Sequence, residues 1–544
     1  MKRKTIFGVF ILLLLSFSLF AQNFNDALLK AVQFYDANRC GPLAGEDNIF
    51  SDWRGACHTK DGQDVGVDLT GGFHDAGDHV KFGLPQAYTA GVLGWALYEF
   101  KDQIAAAGAT EKLLKTLKYF TDYFIKSKVG SRFYYQVGEG EADHTYWGPP
   151  EEQSSDRPTY AWADSSKAAT DVLSQTSAAL SLMYLNYREI NSSYANQCLT
   201  LARDLFDMAK SNIGRGNGQS FYQSSSMYDD LSWAATWLYV IDNDASLISD
   251  VKTWLQKPTQ NGDVPLNQNH WTMCWDDMGL AVIAKLGMLT GDSQYISVLE
   301  ENLRYWLNDL ATTPGGMKYL NNWGVLRYNA AESMIALLYY GHTGTKAYLD
   351  FAEKQLKYML GANPANMSYL IGYGSNWAKH PHHRAANGYT YANGDNQKPA
   401  KHTITGALVG GPDQSDRYVD DVNQFQYTEV ALDYNAGLVG ALAGYLKYAG
   451  GVIETPTPVQ VTPTPVENTP TPTPASEYTV GDVNNDGNRN IVDALLIAQL
   501  YVGLPVPTYV VPEEYGDLNM DGVVNIVDAL LIAQCYVGLP TAYC

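Results

Sequence analysis

Apolar residues recur at helical spacing, with small residues among them, in segments such as PQAYTAGVLGWALYEFKDQ (85–103), DDLSWAATWLYVI (229–241) and EVALDYNAGLVGALAGYLKYA (429–449). Positions i, i+3, i+4 and i+7 on one face predict amphipathic helices, and about a dozen such segments can be counted before residue 451. The stretches between them are rich in Gly, Pro, Asn and Asp and are too long to be idle connections. No regular series of alternating strands appears, and no repeat period is visible. The pattern therefore predicts an all-α fold, a helical barrel of paired inner and outer helices whose loops build one working face, rather than a stacked solenoid.

The two ends depart from this pattern. Lys2, Arg3 and Lys4 precede an apolar block from Ile6 to Phe20, and polarity returns after Ala21. This reads as a secretory leader over 1–21, too short for a membrane span, so the protein is expected to be exported. Removing three cations and no acid takes the formal charge from −21 to −24, which makes nucleic acid and anionic lipid poor partners. A segment containing ETPTPVQVTPTPVENTPTPTPASE, with seven prolines and almost no large apolar side chain, cannot form a core and predicts an extended linker over 452–477. The divisions are then a catalytic domain over 22–451 and a small domain over 478–544.

That small domain is duplicated. GDVNNDGNRNIVDALLIAQLYVGLP (481–505) and GDLNMDGVVNIVDALLIAQCYVGLP (516–540) are identical at 20 of 25 positions. Oxygen-bearing side chains fall at loop positions 1, 3, 5, 9 and 12: Asp482, Asn484, Asp486, Asn490 and Asp493, then Asp517, Asn519, Asp521, Asn525 and Asp528. Gly487 and Gly522 stand at position 6, where a calcium loop turns sharply. Two such matches in tandem, each running into an apolar helix, predict two bound Ca2+ ions. The pattern resembles a type I dockerin. The resemblance implies docking to a cohesin on a scaffolding protein, with Ile491, Val492, Ile526 and Val527 contributing to partner choice.

In the large segment, GGFHDAGDHVKFGLP (71–85) sets Asp75 and Asp78 three residues apart among glycines. His382, His383 and Arg384 stand together in LIGYGSNWAKHPHHR, and Asp420, Asp421, Glu429 and Tyr434 follow along an aromatic-rich approach to an apolar helix. DLTGGFHDAGDHVKFGLP, GEGEADHTYWGPPE, DDLSWAATWLY, TPGGMKYLNNWGVLRY, PHHR and ALVGGPDQSDRYVDDVNQFQYTEVALDYNAG occur in this order. Together they resemble glycoside hydrolase family 9, the inverting cellulases, over nearly the whole span from Asn25 to Gly450. The resemblance implies an (α/α)6 barrel and secreted, cellulosomal hydrolysis of β-1,4-glucosidic bonds of cellulose with inversion.

Inverting cleavage needs an acid for the departing oxygen and a base for water on the opposite face of the sugar. Two carboxylates three residues apart cannot be that pair. The resemblance makes Asp78 the base, Asp75 its helper on the same water and Glu429 the acid, and marks His382 and Asp420 as functional. Glu429 is expected to open the last inner helix, where the dipole would lower its pKa, so like-charge repulsion from Asp420 and burial against Tyr434 are expected to offset it. His144, Trp147, Trp323, Arg327, Tyr328, Arg384 and Tyr434 match positions that line sugar subsites. Hydrolysis of another β-glucan or of xyloglucan, or processive cutting, is an alternative on the same barrel. A non-catalytic, scaffold-bound carbohydrate-binding subunit is the reading from another class, and the joint presence of Asp75, Asp78 and Glu429 argues against it.

Cys40 and Cys57 leave two readings open. A secreted chain favours a disulfide, yet Cys40, Cys57, His58 and His79 complete a Cys2His2 set of the kind that binds structural Zn2+, as in several members of the family. Family members also bind calcium in the catalytic domain, for which Asp171 and Asp229 are the candidates, with Gln175 where an acid is common. Cys535 and Cys544 are expected to pair. Cys198 and Cys274 carry no signal.

Overall fold

The computed structural model describes residues 22–449, 480–483, 489, 491–501, 516–519 and 523–536. The chain divides into two units, Met1–Thr457 and Pro458–Cys544. The twelve helices of ten residues or more among the described residues of the first unit fall into two kinds. Six are buried on nearly every side: α2 (Gly83–Glu99), α4 (Thr170–Tyr187), α6 (Tyr228–Asp242), α8 (Gly279–Thr290), α10 (Val325–Thr343) and α12 (Leu432–Tyr448). Helices apolar all round are interior helices. The others bury one stripe only: α1 (Phe24–Gln33), α3 (Thr110–Ser127), α5 (Ser192–Ser211), α7 (Ala245–Trp254), α9 (Ser293–Arg304) and α11 (Lys346–Met359). In α3, for example, Leu113, Leu117, Phe120 and Phe124 face inward while Glu111, Lys115 and Lys126 face solvent.

Each inner helix packs against the next, and α12 returns to α2, so the six close into a ring with an outer helix behind each. This is an (α/α)6 barrel. Small residues let the inner helices approach one another: a Cβ on Gly437 of α12 would lie 2.8 Å from the Ala331 Cα of α10, and one on Gly94 of α2 would lie 2.9 Å from the Leu182 Cβ of α4. Connections from inner to outer helices are mostly short, 243–244, 291–292 and 344–345 being two residues each, whereas every loop entering an inner helix is long, up to 360–431 before α12. The long loops therefore gather at the N-terminal ends of the inner helices and make one elaborated face.

The all-α expectation holds, with one small addition that the sequence pattern did not reveal. The loop segments contain a small antiparallel sheet of β1 (Lys81–Phe82), β2 (Lys128–Val129), β3 (Arg132–Val137) and β4 (Thr159–Ala163), with β3 pairing the other three. Its register sets Lys81 opposite Val137 and Phe82 opposite Gln136, which anchors the chain directly after Asp78. Strands of two to six residues are too short to register as a period-2 pattern.

In the second unit, α13 (Ile491–Tyr501) and α14 (Ile526–Tyr536) pack over Val483, Ala494, Ile497, Leu518, Ala529 and Ile532. The Val483 amide donates to Asp493 Oδ1 (3.0 Å) and the Leu518 amide to Asp528 Oδ1 (2.9 Å), so in each copy the last acid of the loop ties back to its start. The leader, the linker, Cys544 and the calcium candidates Asn484, Asp486, Asn490 and Asp521 lie outside the described residues. Cys535 is disulfide-bonded. Among the described residues no helix is long and apolar enough to cross a membrane.

Glu332 lies inside the barrel wall on α10, fully buried, with no hydrogen-bond partner for either carboxylate oxygen. Burial pushes its pKa up to about 8, so between roughly pH 4.5 and 8 the folded protein holds a proton that the unfolded chain releases. Stability falls as pH rises through that window. Glu332→Gln is expected to melt several degrees above the parent at pH 8 and together with it near pH 4.5, as followed by calorimetry across that range.

Candidate active site

The site is assembled largely by backbone hydrogen bonds between two distant loops, the one that enters α2 and the one that enters α12. Asn38 Nδ2 donates to the carbonyls of His74 (3.1 Å) and Ala76 (2.9 Å), and the Asp75 amide donates to the Val80 carbonyl (3.1 Å), which folds 74–80 into a tight turn. Within it, Asp78 accepts from the amides of Ala76 and Val80, both at 3.1 Å. The Arg384 amide donates to the Gly77 carbonyl (3.0 Å), the Leu432 amide to the Asp75 carbonyl (3.0 Å) and the His382 amide to the Thr428 carbonyl (2.9 Å). His382 and Glu429 also form an isolated parallel bridge. Glycine is required at 77 by this closeness, since a Cβ there would lie 2.1 Å from the His382 carbonyl oxygen.

Asp75, Asp78 and Glu429 line one cavity of about 300 Å³, together with His144, Trp323 and His382. All three carboxyls are raised above their ordinary values, in each case chiefly by burial. Asp75 is raised furthest, next by the charge of Asp78, although a hydrogen bond donated by the Tyr222 hydroxyl to Asp75 Oδ2 opposes this. His144 and Arg384 partly offset the rise at Asp78. Glu429 Oε2 accepts from Trp323 Nε1 (2.9 Å) and the Tyr434 hydroxyl (3.1 Å). Both bonds and the Arg327 charge hold its pKa down, while burial and Asp78 push it up, and the net direction is up.

Two expectations for Glu429 are corrected. It does not open α12, which starts at Leu432; Glu429 has extended backbone (φ −60°, ψ 144°) after the short helix Phe425–Thr428. Asp420 is not its repelling neighbour either. The Asp420 carboxylate accepts from the amides of Lys379 (2.8 Å) and His380 (3.0 Å), so it orders the chain leading to His382. His382 Nδ1 donates to the Val422 carbonyl (2.6 Å), and burial pulls its pKa down to about 4, which keeps the ring neutral.

Of the expected sugar contacts, His144, Trp323, Arg327 and Tyr434 reach the cavity, whereas Trp147, Tyr328 and Arg384 do not line it. Trp147 is 5% exposed with its Nε1 donating to Asn387 Oδ1 (2.9 Å). Tyr328 is buried, and its hydroxyl accepts from Arg327 Nη2 (2.7 Å). Arg384 is 2% exposed and paired with Asp143 (2.7 Å). Arg327 is itself held by Asp433 (2.9 Å), and Trp323 is the exposed ring, at 44%. Residues missed in the sequence include Phe221, Tyr222 and Trp275, which also line the cavity. Only the aromatic richness of SFYQSS and MCWDD hinted at them.

Beside this site lies a second cluster. Donor atoms of Cys40, Cys57, His58 and His74 lie within 4.8 Å of one another. Cys40 Sγ is 3.5 Å from His58 Nδ1, which is 3.0 Å from His74 Nε2. Ligand-to-ligand separations in a tetrahedral zinc site are about 3.3–3.8 Å, from bond lengths of roughly 2.0–2.3 Å; the Cys40–His58 spacing lies in that range and the His58–His74 spacing just below it, and two thiols with two imidazoles are a donor set for that ion. The expected fourth donor is corrected: His74 joins the cluster, and His79 bonds through Nε2 to the Gly148 carbonyl (2.9 Å). Cys40 and Cys57 are free thiols, which is at odds with the disulfide alternative. His58 Nε2 meets Gln153 Oε1 (3.0 Å), a partner that orients the ring.

Asp171 and Asp229 part company. Asp171 Oδ1 is occupied by the amides of Val172 (2.9 Å) and Gly216 (2.8 Å). Asp229 accepts from the Met278 amide (2.8 Å), and Asp230 from Gln175 Nε2 (2.7 Å). Each of these two neighbours keeps one buried oxygen without a partner, Asp229 Oδ1 and Asp230 Oδ2. Adjacent buried carboxylates with open oxygens suit a hard cation.

The family described as Glycosyl hydrolase family 9 matches residues 24–442. The chain is similar to Endoglucanase A of Bacillus pumilus, 39% identical over 448 residues, covering 79% of this chain and 67% of that protein. Among solved structures it is similar to the cellulase Cel9M of C. cellulolyticum, at 61% identity and a TM-score of 0.76, covering 79% of this chain and 99% of that one. It is also similar to the catalytic domain of Clostridium thermocellum CelT, at 37% identity and a TM-score of 0.71, covering 78% and 96%.

Gly77→Ala is expected to lower kcat by ~100-fold, because the added methyl pushes the 74–80 turn off the His382 carbonyl and misplacement by about 1 Å carries that cost. Far-ultraviolet circular dichroism should stay that of the parent, since no barrel helix is touched.

Proposed function

The chain belongs to glycosyl hydrolase family 9 and is a glycoside hydrolase, an endoglucanase acting on β-1,4-glucan, and from that premise we propose that it inverts the anomeric centre with Asp78 as base and Glu429 as acid. The observation that carries this reading is that the two carboxyls enter one cavity from different loops, whereas Asp75 and Asp78 share a single turn. Asp75 and Asp78 divide their work by position: Asp75, held by the Tyr222 hydroxyl, orients the water, and Asp78 accepts its proton. Glu429, with Oε2 bound to Trp323 and Tyr434 and its pKa raised by burial, supplies a proton to the departing glycosidic oxygen. Water oxygen then bonds to the anomeric carbon as the glycosidic bond breaks, water's proton goes to Asp78, and the new hydroxyl is α. His144, Trp323, Arg327 and Tyr434 hold the sugars, with the Trp323 indole face against a pyranose. Neutral His382 positions substrate without adding charge.

Cys40, Cys57, His58 and His74 would hold zinc, which when bound closes all four positions of a structural site and leaves none for water or substrate. These residues then fix the start of the turn that carries Asp75 and Asp78. Asp229 and Asp230, rather than Asp171, would hold calcium. In the second unit, Asp482, Asp493, Asp517, Asn519, Asn525 and Asp528 belong to two calcium loops. Ile491, Leu495, Ile526, Val527 and Leu530 are exposed around an apolar groove of about 520 Å³ between α13 and α14, which suits the docking of a cohesin. On this reading the enzyme is secreted and works attached to a scaffold, on cellulose or a related β-1,4-glucan.

Proton NMR of cello-oligosaccharide cleavage should show the α-anomer first, and β-product would overturn inversion. Glu429→Gln should abolish cleavage of polymer and retain more activity on a substrate whose leaving group needs no proton; equal loss on both would remove it as the acid. Native mass spectrometry of the intact protein should show one zinc, lost in His74→Ala and kept in His79→Ala.

A further inference from the structure

We propose that Asp143 is a positioning residue for the base, acting by clamping the peptide on the far side of Asp78 to two buried arginines. Asp143 is 4% exposed and does not line the catalytic cavity, so it is no partner for substrate. It lies on the short helix Gly140–His144, 64 residues from His79 and 241 from Arg384. Its Oδ2 accepts from the His79 amide (3.1 Å) and from Arg384 Nη1 (2.7 Å). Its Oδ1 accepts from Gln153 Nε2 (2.9 Å) and lies 3.8 Å from Arg157 Nη1. The same Arg157 nitrogen donates to the His79 carbonyl (2.8 Å), and the Arg384 amide donates to the Gly77 carbonyl (3.0 Å).

The residues on both sides of Asp78 are therefore held by groups that converge on one carboxylate. Gly77 is tied through Arg384, the His79 amide directly, and the His79 carbonyl through Arg157. Without that carboxylate the His79 amide is a buried donor with no acceptor and the buried Arg384 guanidinium loses its counter-charge, each a costly state, whereas Arg157 keeps Asp61 (3.1 Å). The local remedy is rotation of the 78–79 peptide. That rotation changes the backbone angles on both sides of the peptide and loosens the hold of the Ala76 and Val80 amides on the Asp78 oxygens. The consequence falls on the base and on the water it orients, while the opposite wall, with Glu429, Trp323 and Tyr434, has no contact with Asp143.

This inference rests on Asp78 being the base. The test compares Asp143→Ala, Asp143→Asn and Asp78→Ala with the parent on a soluble cello-oligosaccharide and on β-cellobiosyl fluoride, whose leaving group needs no proton donor. Asp143→Ala should lose ~100-fold in kcat and Asp143→Asn, which keeps an acceptor oxygen for the His79 amide, about tenfold, the sizes expected for misplacing a reacting group. KM should stay within about threefold, and the fluoride should be affected as strongly as the oligosaccharide. Parent kcat in both Asp143 variants, a loss confined to KM, or a loss spared on the fluoride would each overturn the proposal. So would a loss in the Asn variant matched by its unfolded fraction in a melting curve. High activity of Asp78→Ala on the fluoride would instead overturn the base assignment, whatever the Asp143 variants do.

Discussion

Three main-chain hydrogen bonds hold the site together: Gly77 carbonyl to Arg384 amide, Asp75 carbonyl to Leu432 amide, and Thr428 carbonyl to His382 amide. The first two join segments more than 300 positions apart in the chain and the third folds the loop before α12 onto itself, and their partners are backbone atoms whose places are set by the helices that follow each loop. A barrel is suited to this because its inner helices close in a ring. The loop entering α2 and the loop entering α12 are neighbours in space, since α12 packs on α2, although they are nearly the first and last of the domain. Side chains that must face one another across a sugar can thus sit on loops fixed at both ends.

The same architecture concentrates charge. The six inner helices start at the loop face, so their positive N-terminal ends point toward it. Around that face lie Asp75, Asp78, Asp171, Asp229, Asp230 and Asp433, all buried. Burial alone raises a carboxyl, and these are raised. Helix ends and backbone amides, such as those on Asp78 and Asp171, limit the rise where ionisation is needed. Only some acids receive a cationic side chain: Asp433 has Arg327 and Asp143 has Arg384. Arg327 then lies over the Tyr434 ring (5.1 Å), so a structural ion pair helps set the field at Glu429.

The helices were legible because the two kinds carry different patterns: a single apolar stripe in α3, and apolar residues on nearly all sides of α2 and α12. The carboxylates were legible from the glycine-rich setting of Asp75 and Asp78 and from the ordered motifs around Glu429. What escaped depended on distance rather than on residue type. His74 and His79 are both imidazoles in the same turn, and nothing in GGFHDAGDHV says which faces Cys40; that is decided when Asn38 bonds the His74 and Ala76 carbonyls and Gly148 takes the His79 ring. Trp147 and Arg384 have the chemistry of sugar contacts, yet the Trp147 Nε1 and the Arg384 Nη1 are taken by Asn387 and Asp143. The aromatic setting of Tyr222 says nothing of its role, because its partner Asp75 is 147 residues away.

The turn over 74–80 is held at each end by a different kind of anchor. At its start, His74 belongs to a cluster of soft donors that includes Cys40 and Cys57; at its end, the His79 peptide is fixed by Asp143 and Arg157. A short glycine-bearing turn fixed at one end only would pivot, and a pivot of a few degrees moves a carboxylate by a large part of the tolerance that water activation allows. Two anchors remove the pivot, while the Asp143 charge raises and the Arg384 charge lowers the Asp78 pKa without bonding to it. Neither anchor touches the Asp78 oxygens, which receive only the amides of Ala76 and Val80 among the hydrogen bonds described. The turn is thereby held rigidly while its carboxylate keeps the capacity to take a proton, which a direct ion pair from either arginine would have reduced.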